Sequence, residues 1–182
     1  MLKLKKLSST LAVPVEFILG MVFITGAVLK ALDINLFIVQ ISYYGVFVRD
    51  SVFLVPSALI TLGIETALGL ALLLRHRLWG WKLIVLPALL IFFTLLIAYG
   101  WAFHDLKDCG CFGKLEMSPG ISILKNFVLM VLWSICWIGR PPRSDDRRSK
   151  YNNLKLGIIL PLTLITLAFV FLTLEPSVTE SN

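Results

Sequence analysis

The sequence predicts an all-α integral membrane protein with five transmembrane helices. Of its 182 residues, 58% are hydrophobic and the mean hydropathy is +0.87, which excludes the class of soluble globular domains. A helix needs about 20 apolar residues to cross the hydrocarbon core of a bilayer. Five stretches meet that length, and the loops between them are too short to hold a soluble catalytic domain. These stretches are Val13–Leu32, Val52–Leu74, Leu78–Trp101, Ile121–Ile138 and Leu156–Leu174.

The positive charge of the chain indicates topology rather than a nucleic-acid partner. The 17 lysines and arginines exceed the 11 acidic residues, but they lie mainly between the apolar stretches. Lysine and arginine collect in the cytoplasmic loops of membrane proteins. The lysines before the first stretch and the basic connection from Arg140 to Lys155 therefore predict a cytoplasmic N-terminus and an external C-terminus. We expect contact with membrane lipid and no nucleic-acid partner.

The first apolar stretch is predicted to be a transmembrane helix rather than a cleaved signal peptide. It is too long for a signal peptide, it contains an acidic residue, and no small-residue cleavage site follows. Glu16, Gly20, Phe23, Ala27 and Lys30 recur at spacings of three and four, so they share one helix face. Small and charged residues on one face predict that this face points into a helix bundle. The alternative for Lys30 is that its ammonium reaches the membrane interface.

The next two elements are a short connecting helix and a second span with a buried acid. Residues 33–50 combine apolar residues at helical spacing with tyrosines, which predicts a short helix near the interface. Glu65 lies near the middle of the second span. Because a carboxylate at membrane depth is costly, Glu65 is a candidate functional residue that should face the bundle interior. The alternative is a hydrogen-bonded glutamate that only fixes helix packing.

A polar, glycine-rich motif follows the third span, and we call Asp108–Gly113 the cysteine motif. Cys109 and Cys111 are separated by one glycine on the predicted outer side, where thiols oxidise readily. A disulfide between them would close a small, strained ring, and strained disulfides are more easily reduced. Such a bond removes little loop entropy, so it is a poor structural crosslink. The motif therefore favours thiol–disulfide exchange, with both cysteines as the candidate catalytic residues.

Other readings of the motif stay open. His104, an aspartate and the two cysteines have the chemistry of metal ligands, but their spacing matches no standard zinc pattern, so we predict no metal. A structural turn or an inert disulfide is the other alternative. If exchange is the function, Lys30, Lys107 or Lys125 could stabilise a thiolate and His104 could carry protons. The isolated Cys136 is predicted to be a buried packing residue.

A family resemblance adds to these observations. The residues that carry it are Gly20, Phe23, Gly26, Lys30, Asp33, Phe37, Pro56, Glu65, Gly69, the cysteine motif, Lys125 and Asn126. This pattern resembles the MauE/DoxX-like family of small bacterial membrane proteins. The resemblance implies a four-helix transmembrane bundle, here with an additional C-terminal transmembrane helix. It divides the chain into the bundle at 1–140, a basic cytoplasmic loop at 141–155, the extra helix at 156–174 and a polar tail at 175–182.

The resemblance also implies a function. MauE is associated with methylamine metabolism, where it is thought to assist maturation of a disulfide-rich enzyme subunit together with a thioredoxin-like protein. The resemblance thus implies a bacterial inner-membrane protein that assists disulfide formation or maturation of extracytoplasmic proteins, with a thioredoxin-like partner. DoxX is named for a quinol oxidase subunit, so a quinone is the cofactor to consider. Alternatives are a non-enzymatic assembly or transport subunit and a quinol-oxidase-associated subunit, which leaves enzymatic activity open.

Overall fold

A computed structural model describes residues 2–45, 52–74, 79–104, 117–138 and 149–174. These residues form helices and no strand. Five of the helices are long and apolar enough to cross a membrane, and the prediction of an all-helical, multi-pass membrane protein is confirmed. The helices are α1 (Leu2–Leu32), α2 (Ile34–Tyr43), α3 (Leu54–Leu73), α4 (Trp79–Phe103), α5 (Pro119–Ile138) and α6 (Ser149–Thr173).

The last helix is longer than its apolar stretch. α6 begins at Ser149, inside the segment predicted to be a basic loop. Backbone hydrogen bonds of a helix do not end where the apolar sequence ends, and lysine is a good helix former. The apolar candidate span within α6, Lys155–Thr173, agrees with the predicted fifth stretch.

α2 is the predicted short helix between the first two spans, and the backbone explains both of its ends. At its start, Asp33 Oδ1 accepts a hydrogen bond from the backbone N–H of Leu36 at 3.2 Å, which satisfies one unpaired helix donor. Beyond its end, Gly45 has φ +71°, a conformation that side chains with a Cβ rarely adopt. A Cβ at Gly45 would also overlap the imidazole of His104. α2 is therefore fixed to α1 at one end and lies against the end of α4 at the other.

α1 is the central helix of the bundle. It packs along α3 and α5, α4 packs along α5, and α3 meets α4 over only a short stretch. The close approach of α1 and α3 depends on glycine. A Cβ at Gly20 would lie 2.9 Å from Leu73, and one at Gly69 would lie 2.8 Å from the side chain of Ile24. Small residues let transmembrane backbones approach closely, which here fixes the register of two antiparallel helices.

α1 and α4 finish at the end of the bundle where α3 and α5 begin. We call this end the α2 end, because α2 lies there.

α6 packs mainly on α3, where Val170 is fully buried and Leu167 contacts Gly63. Most other large side chains of α6 are exposed, as expected for a helix at the periphery of a membrane bundle.

Replacing Gly69 by alanine should destabilise the protein. The added methyl group would overlap Ile24, including its backbone nitrogen at 3.1 Å, and overpacking costs about 1–3 kcal/mol. Gly157→Ala is the matched control, because a Cβ at Gly157 meets nothing within 4 Å. Thermal unfolding in detergent should show a lower midpoint for Gly69→Ala and no loss for Gly157→Ala. Equal midpoints for the two variants would contradict the close α1–α3 contact.

Candidate functional site

The site is built around a buried ion pair between α1 and α3. Lys30 Nζ donates to both carboxylate oxygens of Glu65, at 2.6 Å and 2.7 Å. The two side chains are only 5% and 8% exposed. This confirms that Glu65 faces the bundle interior, and it shows that the interface alternative for Lys30 is wrong. The whole predicted face of α1, from Glu16 to Lys30, is buried.

Helix geometry explains how Lys30 reaches Glu65. Lys30 lies two residues before the end of α1, and helical side chains tilt toward the N-terminus, which is the deeper direction here. Glu65 lies 11 residues after Leu54, about 16 Å along α3 at 1.5 Å per residue. That is roughly half the thickness of a bilayer core. The ammonium therefore points inward from the α2 end toward a carboxylate near mid-membrane.

Two aromatic rings complete the surroundings of the ammonium. Lys30 Nζ lies 5.0 Å from the ring centroid of Phe37 on α2 and 5.7 Å from that of Phe93 on α4. Both distances suit cation–π attraction, which is stronger where water is excluded. Four helices thus contribute to one charged group. The carboxylate and the two aromatic faces give the buried ammonium three partners inside an apolar bundle.

The ion pair lies on the wall of a cavity of ≈ 440 Å³, which we call the ion-pair cavity. Residues from α1, α2, α3, α4 and α5 line it, together with Tyr44 just after α2. Lys125 and Asn126 of α5 bring further polar groups to the same wall. Asn126 Nδ2 donates to Thr94 Oγ1 at 3.1 Å, and Thr94 in turn donates to the carbonyl of Leu90 at 2.7 Å. A few fixed polar groups on an otherwise apolar wall are typical of small-molecule sites.

The cavity opens on the side of the bundle. Ile60 of α3 and Phe92 of α4 both line it, yet they are 62% and 58% exposed. These residues lie on α3 and α4, which meet over only a short stretch. Large apolar side chains exposed on membrane-spanning helices face the hydrocarbon. The gap between α3 and α4 therefore gives access from the bilayer.

The structure brings together three of the supporting residues that the sequence singled out. Lys30, Glu65 and Lys125 all line the ion-pair cavity. His104 does not line it: this residue is exposed at the α2 end, with its ring 5.4 Å from that of Tyr99. Sequence reasoning missed Phe93, because a phenylalanine in an apolar span carries no signal that distinguishes it from its neighbours.

Of the three cysteines, Cys136 lies within the described residues. Cys109 and Cys111, and with them the whole cysteine motif, lie outside the described residues. Cys136 is buried and its Sγ donates to the backbone carbonyl of Ala12 at 3.6 Å, in agreement with the predicted packing role. Within the described ranges, no group of three or more His, Cys, Asp and Glu residues could hold a metal ion.

Both flanks of the segment that carries the cysteine motif lie at the α2 end. His104 precedes this segment and lies against Gly45. Met117 follows it and packs against the cluster of Tyr44 and Ile97. Tyr44 is also a wall residue of the ion-pair cavity. His104 and Met117, the described residues on either side of this segment, therefore lie at the same end of the bundle as Lys30.

Residues 8–139 match the family described as methylamine utilisation protein MauE. The chain belongs to the MauE family. The match spans nearly all of α1 and the whole of α2 to α5, and it includes the ion pair, Lys125 and both motif cysteines. α6 lies beyond it, so this MauE-family chain carries a helix outside the matched region. No curated protein and no solved structure matches the chain.

Removing one partner of the ion pair should cost more than removing both charges. Lys30→Met leaves a buried carboxylate without its cation, and breaking a buried pair costs about 3–5 kcal/mol. The double variant Lys30→Met/Glu65→Gln leaves no net buried charge, so it should recover a large part of that loss. The measurement is a double-mutant cycle on unfolding midpoints in detergent. Additive effects of the two single substitutions would rule out a coupled pair.

Proposed function

We propose that this MauE-family chain is a thiol–disulfide redox protein of the bacterial inner membrane. It would exchange disulfides through Cys109 and Cys111 and assist disulfide formation or maturation of extracytoplasmic proteins. The observation that carries this proposal is the Cys109-Gly110-Cys111 spacing. A ring that small contributes little to stability, whereas its strain makes the bond easy to reduce. Family membership supports a protein of the MauE type but leaves its client open.

The arrangement of charges supports an external position for the motif. The cysteine segment is flanked by residues of the α2 end, while the basic connections 75–78 and 139–148 join helices at the opposite end. Under the positive-inside rule the opposite end is cytoplasmic. The cysteines would then face an oxidising compartment, where disulfides persist.

The exchange itself needs two steps. A thiolate of the motif attacks a disulfide of the partner, forming a mixed disulfide and releasing one partner thiol. The second motif cysteine attacks that mixed disulfide, closing the Cys109–Cys111 bond and releasing the partner's other thiol. The reverse sequence oxidises the partner and reduces the motif. A thioredoxin-like extracytoplasmic protein has the dithiol chemistry that such a partner requires.

The first test concerns topology. Both motif cysteines should react with a membrane-impermeant maleimide on intact cells after mild reduction, because the proposal places them outside. Cys136 should not react, since it is buried within the bundle. Labelling is read by the mass shift of the purified protein, and Cys109→Ser/Cys111→Ser is the control that should stay unlabelled. Labelling only after cell lysis would reverse the proposed orientation.

The second test traps the exchange intermediate. A mixed disulfide persists when the resolving thiol is absent, so either Cys109→Ser or Cys111→Ser should accumulate a partner adduct. The adduct appears as a heavier band in a non-reducing gel and collapses on reduction. Cys136→Ser is the matched control and should trap nothing. If the double serine variant still matures its client normally, exchange is not the function, and a non-enzymatic assembly or transport subunit takes its place.

A further inference from the structure

The ion-pair cavity has features that thiol exchange at the motif does not use. Its opening lies between α3 and α4, where Ile60 and Phe92 are exposed. A compound that enters there must be dissolved in the bilayer. Its volume of ≈ 440 Å³ is within the range of sites for small organic ligands. These two facts restrict the occupant to a lipid-soluble molecule whose head enters and whose tail can remain in the membrane.

The aromatic side chains that line the cavity favour a ligand with a flat ring. Four phenylalanines line the cavity: Phe23, Phe37, Phe92 and Phe93. They come from α1, α2 and α4, so aromatic surface is present on several sides. Aromatic rings pack against each other in stacked or edge-to-face arrangements that are worth more than their buried area alone. A planar head group fits such walls better than a second acyl chain would.

The polar groups of the cavity favour a ligand whose head group accepts hydrogen bonds and carries no full negative charge. An ammonium has three N–H donors, and Lys30 makes two hydrogen bonds to the carboxylate of Glu65. The side-chain amide of Asn126 has two N–H donors, and one of them donates to Thr94. A neutral carbonyl can accept from such groups while the ion pair stays closed. An anionic head group would lie beside the Glu65 carboxylate and compete with it for Lys30.

We propose that the ion-pair cavity binds an isoprenoid quinone, with its ring among the phenylalanines and its carbonyl oxygens toward the polar side chains of α1 and α5. The ring is flat, its two carbonyls are neutral acceptors, and its tail suits the lateral opening. The role of the bound quinone rests on the proposed function. Two motif thiols are oxidised to one disulfide, and their two electrons and two protons convert the quinone to a quinol.

Binding is tested apart from the exchange chemistry. The full chain with Cys109→Ser/Cys111→Ser is placed in lipid nanodiscs and titrated calorimetrically with ubiquinone-1. Ile60→Trp should obstruct the opening, and Phe93→Ala should remove one wall; each should weaken binding at least about tenfold. Phe169→Ala is the control, because Phe169 is an exposed residue of α6 that does not line the cavity. It should leave the affinity unchanged.

Three results would overturn the quinone site. The first is no saturable binding of ubiquinone-1. The second is equal binding by all variants, which would indicate simple partition into the bilayer. The third is co-purification of an anionic phospholipid that ubiquinone-1 does not displace and that Ile60→Trp eliminates. Because Ile60 is largely exposed, Ile60→Trp should fold even if Phe93→Ala does not, and unfolding midpoints of both variants verify this.

A second measurement separates this inference from the proposed function. The reduced protein with native cysteines is mixed with ubiquinone-1, and quinone absorbance is followed. The reduced protein should reduce ubiquinone-1, and Ile60→Trp should slow this reaction at least about tenfold. Added to a single serine variant, Ile60→Trp should leave the yield of the trapped partner adduct unchanged. Adduct formation without quinone binding would refute the quinone site alone. Quinone binding without any adduct would refute the exchange function alone.

Discussion

The buried ion pair of Lys30 and Glu65 constrains the rest of the bundle. Neither charge is tolerable alone at that depth, so α1 and α3 must keep the register in which the two side chains meet. That register is available only because Gly20 and Gly69 let the helices approach closely. The contacts of Lys30 with rings of α2 and α4 extend the same constraint to two further helices.

The ion-pair cavity follows from this arrangement. α1 occupies the centre, with α3 on one side and α5 on another, and α4 packs on α5 rather than filling the space beside α3. The remaining gap has the ion pair at its inner wall and exposed apolar side chains at its rim. A charged, aromatic interior with a lateral opening would be an inefficient core if packing were its only purpose. This arrangement is the one expected if the protein binds a ligand from the bilayer, as proposed.

The proposed chemistry divides between two places that share one end of the bundle. The cysteines belong to a segment whose described flanks, His104 and Met117, lie at the α2 end, the end of the bundle where Lys30 lies. Water-soluble partners would meet the segment, and a membrane-soluble oxidant would meet the cavity. α6 contributes no residue to the lining of the ion-pair cavity and lies beyond the region that matches the MauE family. Its contact with α3 makes it a peripheral support.

The sequence by itself determined the membrane class, the five spans, the short helix after the first span and the inward face of α1. Each follows from local quantities, namely the length of an apolar run, the spacing of residues on a helix and the cost of a charge in hydrocarbon. The sequence also singled out Lys30, Glu65 and Lys125, but it did not reveal that Lys30 and Glu65 are partners. Only the tertiary structure decided that pairing, the place of Phe93 and the gap between α3 and α4. These features depend on how helices rotate and slide against one another, and a uniformly apolar surface does not encode those choices.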